Sequence, residues 1–92
     1  MLQLSFKSGS GARRRLAELQ TGETGVLDAI ELPEDVSQRL MELGFLPGHL
    51  VTPSHSAPGG DPRVFRVDGS EIALRRETAA GVWVRPASRA AD

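Results

Sequence analysis

Only one stretch of this 92-residue chain carries a helical period, and glycine, proline and an Asp-Gly pair cut the rest into apolar runs short enough to be strands. In residues 33–43, "PEDVSQRLMEL", Val36, Leu40 and Leu43 recur at i, i+4 and i+7, a stripe on one helix face. Pro33 suits the first helical turn, and Glu34 and Asp35 stand at the positive end of the helix dipole. Gly44 follows where the chain must leave the right-handed helical region. That makes Phe45 the residue that a Schellman ending packs back on Leu40. Leu46-Pro47-Gly48-His49 then puts Pro and Gly at the centre of a type II turn, so the chain passes from helix to strand within a few residues.

The remaining runs read as strands: "VLDAIEL" (26–32), "HLVTPSHS" (49–56), "RVFRV" (63–67), "SEIALRR" (70–76) and "VWVRP" (82–86). Phe65 and Val67 alternate with Val64 and Arg66, Ile72 and Leu74 with Ala73 and Arg75, and Val82 and Val84 with Trp83. Pro53 cannot donate to a ladder and implies an edge or a bulge. Asp68-Gly69 predicts a tight hairpin, and "ETAAG" (77–81) a single helical turn. Five short strands and one inserted helix fit a mainly β fold, a small, strongly curved barrel whose closure hides sheet edges.

The length suits a single domain, and a hydrophobic share of 39% with 25% charged residues is that of a globular chain. No apolar run is long enough to cross a bilayer, and the N-terminus lacks the pattern of a secretory signal, so the expectation is a cytoplasmic protein without membrane insertion. The net charge of −1 is unevenly placed. Lys7, Arg13, Arg14 and Arg15 give residues 1–15 a charge of +4, while the rest, with seven basic and twelve acidic residues, stands at −5. An acidic body argues against nucleic-acid binding. The domain is accordingly drawn at 16–86, with residues 1–15 a flexible basic arm and 87–92 a frayed tail.

Chemistry has thin support. Cysteine is absent, which removes disulfides and thiolate metal sites together. His49 and His55, six residues apart on an extended strand, stand about 20 Å from each other and cannot share an ion. Asp61 near His55 adds a second ligand without a defined third, so no metal site is expected. Neither Ser54 nor Ser56 sits in a nucleophile elbow, and "SGSGARRR" lacks the Lys-Ser/Thr ending of a phosphate loop. The expectation is a protein without catalytic residues and without cofactor. What remains is a binding surface. Met41, which leaves the helix stripe, and Phe45, Leu46 and Pro47 at the corner are the candidate partner contacts, with Trp83 and Arg75 as further anchors. Phe45 and Leu46 have a second reading as caps on the barrel, which for Phe45 the Schellman packing favours.

"LAELQTGETGVLDAIEL", "RLMELGFLPG" and "APGGDPRVFRVDGSEIALRRETAAGVWV" together resemble the ferrous iron transport protein A (FeoA) family, over residues 16–84. The resemblance implies an SH3-like β-barrel with a helical insertion. It also implies a non-enzymatic cytosolic accessory that contacts the cytoplasmic G domain of FeoB, the ferrous iron transporter. Related barrels end repressors resembling the diphtheria toxin repressor, so a metal-responsive regulatory module is the alternative. Weak self-association stays open. Pro53, Asp68 and the extension formed by residues 1–14 depart from the family pattern.

Overall fold

The computed structural model describes residues 13–87. Its strands are β1 (Arg14–Arg15), β2 (Gly25–Ile30), β3 (Leu50–Ser56), β4 (Arg63–Val67), β5 (Ser70–Leu74) and β6 (Val82–Pro86). Helix α1 (Glu34–Glu42) joins β2 to β3, and the single turn α2 (Arg76–Ala79) joins β5 to β6. Short 3₁₀ turns occupy Leu16–Glu18 and Pro58–Gly60. All six strands form one antiparallel sheet in the order β1, β6, β2, β3, β4, β5.

The alternation legible in the sequence becomes the inner face. Phe65 and Val67 of β4, Leu74 of β5, and Val82 and Val84 of β6 are buried, together with Leu27 and Val51. Leu40 and Phe45 close this core from the helix end, and Leu16, Leu19 and Ala79 close it from the segments that follow β1 and β5. Asp68 and Gly69, at φ +53° and +83°, make the two-residue turn between the paired Val67 and Ser70, with the positive φ values that hairpin twist requires. The strand register slips between Pro53 and His55, so the bulge expected at the proline is present. Pairing of β3 with β2 stops at Val51, which leaves the proline no ladder bond to donate on that side. A second slip between Leu27 and Ala29 makes Asp28 the extra residue of β2.

Two placements differ from expectation. Arg14 and Arg15 are not part of a solvated arm: Arg14 pairs with Val84 and Arg15 with Trp83, adding a sixth strand and moving the start of the folded unit ahead of Leu16. The physical cause is that β6, a central strand here, would otherwise present an unpaired edge. The rest of the expected arm, residues 1–12, and the end of the expected tail, residues 88–92, lie outside the described residues. Ala87, also assigned to the tail, donates its N–H to the Thr24 carbonyl at 3.2 Å. The second difference is Leu43, which is 44% exposed although it belongs to the predicted stripe. The helix ends at Glu42, and the chain reversal brings Phe45, rather than Leu43, into the core.

Candidate functional site

The corner between α1 and β3 is built by two hydrogen bonds of the Schellman type. Phe45 N–H reaches the Leu40 carbonyl at 3.0 Å and Gly44 N–H the Met41 carbonyl at 3.1 Å. Gly44 adopts φ +112°, a conformation a Cβ opposes. The following turn closes by His49 N–H to the Leu46 carbonyl at 3.0 Å. The corner is then fastened to β2: Gly48 N–H donates to the Leu27 carbonyl and Leu27 N–H to the His49 carbonyl, both at 2.8 Å. The His49 ring adds a bond from Nδ1–H to the Gly44 carbonyl at 3.0 Å. This is a rigid platform.

On that platform stand Met41, Leu43, Leu46 and Leu50, the exposed large apolar side chains among the described residues. Their exposures run from 38% for Leu46 to 56% for Leu50. Pro47 is exposed beside them in sequence. Phe45 is different: it is fully buried, so its expected place as a partner contact is corrected to that of a core residue that shapes the corner. Leu43 and Leu50 escaped the sequence reading. Leu50 was legible in principle, because Val51 and Pro53 point inward and parity turns Leu50 outward.

Trp83 and Arg75 do not join the corner. Trp83 lies half-buried on the outer face of β6, with its Nε1–H donating to Glu31 Oε1 at 2.8 Å. The guanidinium groups of Arg13 and Arg15 stand 4.6 and 4.5 Å from the ring centroid, a cation–π arrangement. Arg13 also pairs with Asp28 at 3.0 Å, as does Arg85 at 3.3 Å, and Arg15 Nη1 donates to the Ala80 carbonyl at 2.7 Å. The indole is therefore engaged within the chain. Arg75 is exposed just ahead of α2, where its carbonyl accepts the N–H groups of Thr78 and Ala79 at 3.0 Å each. Three strands separate β6 from β5 in the sheet order.

Among the described residues, no three His, Asp or Glu side chains are grouped to hold a metal ion. His55 Nδ1 lies 3.1 Å from Ser54 Oγ, while His49 is engaged with the helix end. No helix of the described residues is long and apolar enough to cross a membrane.

Residues 14–86 match the model of the FeoA domain family. A fusion protein of Porphyromonas gingivalis, Fe(2+) transport protein A joined to the Fe(2+) transporter FeoB, is 37% identical over 70 residues. That match covers 76% of this chain and 8% of the fusion, so the chain spans under a tenth of that relative's length. The solution structure of the FeoA protein from Chlorobium tepidum superposes with a TM-score of 0.77 at 29% identity, covering 82% of this chain and 71% of that one. The zinc complex of Stenotrophomonas maltophilia FeoA, described as an SH3 domain protein, gives a TM-score of 0.67 at 33% identity, with 75% and 86% covered. A manganese-dependent transcriptional repressor shares the fold, with a TM-score of 0.73 at 15% identity over 86% of this chain and 44% of its own. The match over nearly all the described residues, carried on an SH3-like sheet with one inserted helix, makes this chain a member of the FeoA family.

Proposed function

We propose that this protein is a non-enzymatic accessory of ferrous iron uptake that acts by contact with the cytoplasmic G domain of a FeoB-like transporter. The observation that carries this reading is the Porphyromonas gingivalis relative, in which a segment 37% identical to this chain shares one polypeptide with an Fe(2+) transporter. Fusion keeps two modules at high effective concentration, an arrangement suited to partners that touch. The rigid corner supports the same reading, because its exposed Met41, Leu43, Leu46 and Leu50 need no rearrangement to meet a partner.

Contact alters a two-state G domain only through different affinities for its two nucleotide states. Isotope-labelled protein titrated with the isolated G domain, loaded with GDP or with a GTP analogue, tests this directly. Amide shifts centred on residues 41–50 in one nucleotide state are the expected result. Equal shifts in both states would remove the switching mechanism and keep the partner, whereas no shifts in either would remove the G domain as partner. The likeness to the manganese-dependent repressor extends to the fold alone, so the regulatory alternative gains no support from it.

A further inference from the structure

Among the described residues β1 and β5 are the outer strands of the sheet, and the chain that leaves each runs toward the other: the turn at Leu16–Glu18 packs against α2. Between them lies an open groove of about 450 Å³. Leu19, Leu74 and Ala79 form its apolar floor, and Arg63, Arg76 and Ser56 stand at its polar side. This seam is separate from the corner residues 41–50, none of which line it.

The arginines give the groove its sign. Arg63 is held in place by the Leu19 carbonyl at 2.6 Å and the Ala17 carbonyl at 3.3 Å, with its guanidinium 5.4 Å from the Phe65 ring centroid. Carbonyl oxygens leave its full positive charge unneutralised. Among the described residues neither Arg63 nor Arg76 forms an ion pair, whereas Arg13, Arg14, Arg66 and Arg85 all do. Asp61, close in space to Arg76, accepts from its backbone N–H at 2.9 Å. Glu18 is the acid in the lining, and its carboxylate accepts from Arg15 N–H at 3.3 Å.

We propose that this seam is a docking groove for an acidic, leucine-bearing extended segment of a partner protein, with the apolar side chain on the Leu19, Leu74 and Ala79 floor and a neighbouring carboxylate on Arg76 and Arg63. The volume lies in the range of sites that enclose a few side chains, and guanidinium groups suit carboxylates by their forked donors. The chain's own residues 1–12 carry a lysine and no acid, so they have the wrong sign for this groove.

The test is an NMR titration of the full chain with the capped peptide Gly-Asp-Leu-Glu-Leu-Gly, alongside its Gly-Lys-Leu-Lys-Leu-Gly counterpart. The expected result is saturable shifts at Leu19, Ser56, Leu74 and Ala79 with the acidic peptide alone, weakened at least about tenfold by Arg76→Glu. Arg76 is exposed and its capping bond uses backbone N–H, so this variant keeps the fold; an unchanged amide spectrum outside the groove checks that. Equal shifts with both peptides, or none with either, would overturn the proposal. So would a concentration-dependent dimer that Arg76→Glu dissolves, since the occupant would then be a second copy. Because the readout lies outside residues 41–50, failure here leaves the corner's contact with a G domain standing.

Discussion

At the scale of single residues, Gly44 decides more than any other position. Its φ of +112° allows the reversal that sends Phe45 into the core and leaves Leu46 outside. Gly44→Ala is expected to lower unfolding free energy by about 1 kcal/mol or more, read as a lower urea midpoint with unchanged slope. Glu23 offers a second residue-level expectation. Its carboxyl is held below the ordinary value chiefly by the hydrogen bond from Arg14, with the Gln20 N–H adding to it. A carboxylate depressed in the folded state stabilises the fold above the ordinary glutamate pKa, and that contribution disappears as pH falls through the folded value. Exposure keeps it small. Carbon-detected titration should give Glu23 a midpoint below that of an ordinary glutamate, and Arg14→Ala should move it upward.

The elements depend on contacts across long sequence separations. Arg63 leaves β4, where it pairs with Leu74, and reaches the carbonyls of Ala17 and Leu19 beyond β1, so one side chain ties the two ends of the sheet together. Replacing it with Met keeps the stem over Phe65 but removes the charged donor that both carbonyls accept from. Arg63→Met should cost about 1–3 kcal/mol in thermal or urea unfolding, with the fastest new hydrogen exchange in residues 16–21. Where α2 passes into β6, Gly81 meets the chain just past β2 so closely that a Cβ there would stand 2.8 Å from the Glu31 carbonyl oxygen. The sheet accepts no side chain at that crossing.

At the scale of the molecule, the exposed large apolar side chains among the described residues all fall within residues 41–50. Met41→Asp with Leu46→Asp should therefore weaken binding to the G domain at least about tenfold while leaving the melting temperature within a few degrees, because both residues are partly exposed and neither belongs to the buried core. Metal binding is expected to fail at the same scale. His49 and His55 have separate local partners, and no third ligand joins either among the described residues. Anaerobic calorimetry with ferrous iron should give no saturable heat, and a stoichiometric isotherm would restore the metal-responsive reading.

The sequence by itself determined the helix, its Schellman ending, the hairpin at Asp68-Gly69 and the inward faces of β4 to β6. Each of these depends on residues a few positions apart, where period and φ preference act directly. It also carried the family motifs. Only the tertiary structure decided that Arg14 and Arg15 form a strand, since their partners Val84 and Trp83 lie at the other end of the chain and two arginines have no strand signature of their own. The same holds for Arg13 and Arg15 over Trp83 and for Arg63 across the seam. In each case the partners are far apart in the chain and meet only once the sheet and the segments packed on it are assembled.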